Sequence, residues 1–145
     1  MREEIGCFVP AAMARNMEIS LEGPETLIAS LDVHALQSVL QNLVDNAVRY
    51  GCDNGRIVVD LSLLSLGREI MILVVSDDGP GIAECDRSLV FDRFYRGQHR
   101  DARGAGLGLT IVKQAAARMG GVVQVMSGLD GRGCRFELQI PRKQD

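Results

Sequence analysis

Three groups of residues have the types and spacing to do chemistry. Asn42, Asn46 and Arg49 stand at i, i+4 and i+7, with Tyr50 beside Arg49. On a helix, that spacing lines two carboxamides and a guanidinium along one edge. An Asn inside a helix competes for backbone hydrogen bonds, so two of them one turn apart point to a ligand or metal held by amide oxygens. A solvated helix face is the plainer alternative. The second group is Asp77-Asp78-Gly79-Pro80-Gly81, which follows the apolar run Ile70 to Val75 and Ser76. A buried strand would fix the first carboxylate at the floor of a pocket, and the glycines would let backbone come close to a ligand. The alternative is a tight turn with a solvated acid pair. The third group is Gly104-Ala105-Gly106-Leu107-Gly108-Leu109, opening a helix that runs to about Met119. Free backbone N–H groups at a helix N-terminus suit a phosphate. The order G-x-G-x-G is not the dinucleotide fingerprint, and no Gly-Lys-Ser/Thr follows to make a P-loop.

Between the second and third groups, Ile82 to Arg103 shows no sustained period. Phe91, Phe94 and Tyr95 lie there among Arg87, Arg93, Arg96, Arg100 and Arg103. A long basic segment with aromatics suits a lid that docks through its rings and turns its arginines to an anion. A partly helical surface segment, with Phe91 and Phe94 as core anchors, is compatible with that.

Around these groups the expected elements are ordinary. Leu36, Leu40, Leu43 and Ala47 form one apolar helix face, with Asp32 as N-cap and Gly51 at the C-terminal end. Met17, Ile19 and Leu21 alternate with polar residues as a half-buried strand, and Gly23-Pro24 turns. Thr26 to Leu31 is a second short strand candidate. Ile57, Val59, Leu61 and Leu63 predict a strand with one face mainly buried, and Ile70 to Val75, apolar on both faces, a central one. Leu109, Val112, Ala116 and Met119 face the core from the last helix, which Gly120-Gly121 closes. Val122 to Met126 and Cys134 to Ile140 make a hairpin, with Phe136, Leu138 and Ile140 pointing one way and Pro141 ending it. Residues 1–16 are a mixed lead-in, in which Phe8, Val9 and Ala11 to Ala14 make a short helix or the end of a linker. Residues 17–145 form one domain, with the lid at 82–105.

The chain's 145 residues suffice for one domain with a real core. A net charge of -3 gives no electrostatic case for nucleic acid as a partner. No apolar run reaches the roughly 18 residues of a membrane span, and Arg2, Glu3 and Glu4 after Met1 are unlike a signal peptide. Cys7, Cys52, Cys85 and Cys134 are scattered without a C-x-x-C pair, so reduced thiols are expected rather than zinc or disulfides.

Four separated signatures, NLVDNAVRY at 42–50, DDGPG at 77–81, FDRFYRG at 91–97 and GAGLGL at 104–109, resemble in order and spacing the N, G1, F and G2 boxes of the catalytic ATP-binding domain of bacterial sensor histidine kinases. The resemblance spans about Met17 to Pro141. It implies an α/β sandwich, the Bergerat fold, in which helices pack on one side of a mixed, mostly antiparallel sheet. It implies ATP and Mg²⁺ as cofactors. Carried across the boxes, Asn46 would bind Mg²⁺ with the phosphate oxygens, Asn42 would support that end, and Arg49, where the family often has Lys, would contact phosphate as a fork. These three are the candidate catalytic residues. Tyr50 would pack near adenine or ribose, and Asp77 would accept from the adenine amino group. Gly79, Gly81 and Ile82 would shape the purine pocket. Gly104, Ala105, Gly106, Leu107, Gly108 and Leu109 would form the triphosphate cradle, and Phe91, Phe94 and Arg103 would reach the nucleotide from the lid.

The implied reaction is γ-phosphoryl transfer to a histidine on a separate dimerisation domain, with a response regulator as the indirect partner. No H-E-x-x-[TN]-P-like sequence is present. His34 and His99 are expected at the surface and not as phosphoacceptors. The chain is therefore expected to be a piece of a longer kinase or one half of a split one, cytoplasmic in place, with any membrane link through missing parts. Two other functions are open: an ATP-hydrolysing relative of gyrase, MutL and the large heat-shock chaperones, and a non-catalytic ATP-sensing or docking module. In the hydrolysing relatives, the place of Asn42 resembles a Glu that acts as general base.

Overall fold

Asp32 sets the start of the helix on which the domain is built. Its backbone is extended, and its carboxylate accepts from the Ala35 N–H at 2.9 Å. This satisfies one of the donors that a helix start leaves free. In the computed structural model, which describes residues 1–92 and 108–142, the helix runs Val33–Tyr50. In order along the chain, the helices are α1 (Arg2–Gly6), α2 (Val9–Ala14), α3 (Val33–Tyr50) and α4 (Gly108–Arg118). The strands are β1 (Glu18–Glu22), β2 (Arg56–Ser65), β3 (Glu69–Asp77), β4 (Val122–Ser127) and β5 (Cys134–Pro141).

The strand order is β1-β2-β3-β5-β4. β1 and β2 run parallel, as the long crossover through α3 requires. The other pairs are antiparallel. β3 is central, as its doubly apolar pattern predicts. α3 and α4 pack on each other and on the sheet. Ile57, Val59, Met71, Leu73, Val75, Phe136, Leu138 and Ile140 form the buried sheet face beneath them.

Several local expectations are corrected. Thr26 to Leu31 is irregular and pairs with no strand among the described residues. β2 buries only Ile57 and Val59; Leu63 and Leu64 are exposed, because the far half of the strand carries no buried residue. α3 buries more than one stripe: Ala35, Val39, Val44 and Val48 join Leu40, Leu43 and Ala47, since α3 meets the sheet, α1 and α4 at once. Residues 1–16 fold as two short helices whose Ile5 and Ala12 sit in the same core. Among the described residues, no helix is long and apolar enough to cross a membrane.

Candidate functional site

The central strand delivers Asp77 to the site. It is the last residue of β3 and is 4% exposed. Its Oδ1 accepts from the Gly79 N–H at 2.9 Å and the Cys134 N–H at 3.3 Å. Its Oδ2 accepts from no group among the described residues. The carboxylate is thus held in one orientation through one oxygen, leaving the other for a ligand. Burial pushes the Asp77 carboxyl above the usual carboxylate range, against the pull of those two N–H groups. Asp78 has a different role. Its Oδ1 accepts from the Arg56 N–H at 2.9 Å, which braces the turn before β2.

Gly79 lies where the end of α3 meets the end of β3. A Cβ there would stand 2.9 Å from Gly51 Cα and 3.0 Å from the Tyr50 carbonyl. Gly51 ends α3 as expected, but at φ -68, so close approach rather than a left-handed turn explains its glycine. A Cβ on Gly81 would stand 2.8 Å from the Gly133 carbonyl. Gly133 is a site residue that the sequence reading missed. It lies against Asp77 in the β4–β5 turn, and the spacing of Gly128, Gly131 and Gly133 was its signal. Next to it, Cys134 is buried and its thiol is pushed up to about 12, by burial first and by the charge of Asp77 second.

Along α3, Asn46 is half-buried and its carboxamide makes no hydrogen bond among the described residues. Asn42 donates through Nδ2 to the Ser38 carbonyl at 2.7 Å. Its Oδ1 faces Gly108, the first residue of α4, 3.1 Å from where a Cβ would stand. Asn42 also lines an open cleft of about 320 Å³ with Cys7, Phe8, Gln41 and Asp45. Arg49 binds Asp45 Oδ2 through Nε at 2.9 Å. Tyr50 is exposed at the end of the helix. The structure therefore brings Asn42 to the start of α4, and the Tyr50 carbonyl to Gly79.

After Gly81, the half-buried Ile82 packs against the core, and a 3-10 turn covers Glu84–Asp86. Val90 is buried, and Phe91 packs edge-to-face on Phe136 with centroids 6.2 Å apart. The Phe91 carbonyl accepts from the Thr110 hydroxyl at 3.0 Å, tying this segment to the first turn of α4. Phe91 is thus a core anchor, one of the two compatible roles expected for it. Leu109 packs partly buried on the core. Phe94, His99, Arg103, Gly104, Ala105, Gly106 and Leu107 lie outside the described residues, as does most of the proposed lid.

A buried strand-end carboxylate, glycines packed around it and a carboxamide-bearing helix that ends against Gly79 suit a purine nucleotide with its phosphates. Residues 31–144 match the family described as histidine kinase-, DNA gyrase B-, and HSP90-like ATPase. The chain belongs to this family. It is 39% identical over 138 residues to the swarming motility regulation sensor protein RssA of Serratia marcescens, covering 94% of this chain and 29% of that protein. It is 41% identical over 116 residues to the sensor protein RstB of Escherichia coli, covering 78% of this chain and 25% of that protein. Among solved structures, the mycobacterial sensor histidine kinase MprB aligns with a TM-score of 0.77 at 30% identity, over 100% of this chain and 97% of that one. The catalytic domain of histidine kinase ThkA aligns at 0.83 with 26% identity, over 99% and 92%. Within the family, the chain is an ATP-binding catalytic domain of the sensor histidine kinase kind, and the mixed five-stranded sheet with helices is the fold of those neighbours. It spans under a third of the length of these two curated relatives.

Proposed function

We propose that this domain holds Mg-ATP and presents its γ-phosphoryl group to a histidine on a separate dimerisation domain, from which a response regulator receives it. Asp77 carries the reading. A buried carboxylate with one oxygen fixed by two N–H groups and the other open is suited to accept from an exocyclic amine. Adenine has that amine where guanine has a carbonyl. Gly79 and Gly81, with Ile82 behind them, leave room for the flat base, and Tyr50 borders the same end. The half-buried Asn46, whose carboxamide has no hydrogen-bond partner among the described residues, offers an amide oxygen to Mg²⁺, which takes hard oxygen donors. Asn42 Oδ1 beside Gly108 stands at the start of α4, where phosphate is favoured. Arg49, paired with Asp45 in this structure, is assigned to phosphate as a fork. Gly104, Ala105, Gly106, Leu107, Gly108 and Leu109 are assigned to the triphosphate, and Phe94 and Arg103 to the nucleotide, by the boxes in which they stand. When bound, ATP supplies the transferable phosphoryl group; the chain's own residues supply position and charge. The domain acts in the cytoplasm, beside any membrane part of the parent protein.

Calorimetry tests this reading. ATP with Mg²⁺ is expected to bind and GTP to bind at least tenfold more weakly, since a lost charged hydrogen bond costs about 1.5–3 kcal/mol. Asp77→Asn is expected to remove most of that preference. Equal affinity for the two purines in a folded wild type would exclude the role of Asp77.

An ATPase is disfavoured by two observations. Asn42 is a carboxamide with no useful basicity, and Asp45, the nearest acid on α3, is ion-paired to Arg49.

A further inference from the structure

We infer that Arg15, at the end of α2, is a positioning residue for the nucleotide site, an inference that rests on the reading above. Its guanidinium donates to the Val48 carbonyl, to the Arg49 carbonyl at 3.2 Å and to the Gly51 carbonyl at 2.8 Å. Its Nε also donates to Asp53 Oδ1 at 2.7 Å. A helix end leaves its last carbonyls without intrahelical partners and carries partial negative charge. One cation from a different element answers both at the end of α3. The Arg15 carbonyl accepts from the Asn54 N–H at 3.0 Å, and Asn16 donates to Asn54 Oδ1 at 2.7 Å, so the whole 48–54 turn is clamped.

That turn is the part of α3 that lies on the site. Gly51 Cα and the Tyr50 carbonyl abut Gly79, whose N–H orients Asp77. Asn46 and Arg49 lie within the same last turns. Arg15 therefore fixes the carboxamide edge of α3 against the carboxylate at the end of β3, without touching ligand itself. A planar fork can reach several carbonyls at once; an ammonium keeps the charge but not that geometry.

The test compares wild type, Arg15→Ala and Arg15→Lys in thermal melts, in calorimetry with a non-hydrolysable Mg-ATP analogue, and in hydrogen exchange. Arg15→Lys is expected to melt close to wild type yet bind the analogue several-fold more weakly. Arg15→Ala is expected to melt lower and to bind about tenfold more weakly when held folded at low temperature. The Gly79 amide is expected to exchange faster in Arg15→Lys without any nucleotide. Wild-type affinity and unchanged Gly79 exchange in a folded Arg15→Lys would overturn the inference, even if Arg15→Ala fails to fold. A wild type that binds no nucleotide would sink the functional reading instead, and Gly79 exchange would still decide the role of Arg15.

Discussion

Gly133 lies so close to Asp77 that a Cβ on it would stand 2.5 Å from the carboxylate Oδ1 and 2.2 Å from the backbone carbonyl. The β4–β5 turn therefore forms one wall of the site, and the wall must be glycine. Gly133 also has φ +67, a left-handed value. Gly131, two residues earlier, has φ +73 but nothing within 4 Å of a Cβ. The pair separates backbone strain from collision. Gly131→Ala is expected to cost about 1 kcal/mol and leave ATP affinity unchanged. Gly133→Ala is expected to cost about 2 kcal/mol or more and to lower ATP affinity at least tenfold by displacing Asp77. Urea denaturation and calorimetry on both variants check this.

Asp77 should set a pH dependence of unusual sign. Burial raises its folded-state pKa, so the stability linked to it is fully present below the unfolded pKa. That stability is lost as pH rises through the folded pKa. The stability of wild type relative to Asp77→Asn is therefore expected to fall as pH rises across that window, while ATP affinity rises as the carboxylate ionises. Urea midpoints and calorimetry over an acid-to-neutral series measure both. A relative stability that climbs with pH would contradict the buried placement of Asp77.

Asp32 should behave in the opposite way. Its carboxyl is held below the usual range, first by the Ala35 N–H and then by Arg118. Its contribution is present above the unfolded pKa and lost as pH falls through the folded one. Asp32→Ala is expected to lower the melting temperature at neutral pH, with the deficit shrinking on acidification. Melts of the two proteins at matched pH values give the answer.

Hydrolysis of ATP by this chain alone is expected to be very slow. A positioned base is worth about 10²–10⁴-fold, and Asp45 is paired to Arg49 as a half-exposed i,i+4 contact. Asp45→Ala is expected to leave hydrolysis unchanged and to cost at most about 0.5 kcal/mol of stability. Steady-state phosphate release would decide it: fast multiple turnover that disappears in Asp45→Ala points to an ATPase with Asp45 as base.

Self-labelling should also fail. With γ-labelled ATP, no acid-labile phosphohistidine is expected on His34 or His99. Label is expected to appear on a matching dimerisation domain added in trans. Stable label on either histidine of this chain would show a phosphoacceptor where none is expected.

Local rules decided much of this domain from the sequence. The Asp32 cap, the apolar stripe of α3, the doubly apolar β3 and the alternation in β5 each follow from neighbours within a few residues, where periodicity and capping chemistry act. So does the delivery of Asp77 to the end of a buried strand. The order of the four boxes points to the family by itself. Only the tertiary structure decided the rest. Thr26 to Leu31 has strand-like composition but no partner among the described residues, and strand formation requires a partner. The parallel pairing of β1 with β2 depends on α3 crossing the sheet. Arg15 is one arginine among many until the fold sets it against carbonyls more than thirty residues away, and Gly133 is one turn glycine among three until Asp77 arrives beside it. Sequence neighbours fix backbone preference; contacts between distant segments require the folded chain to bring them together.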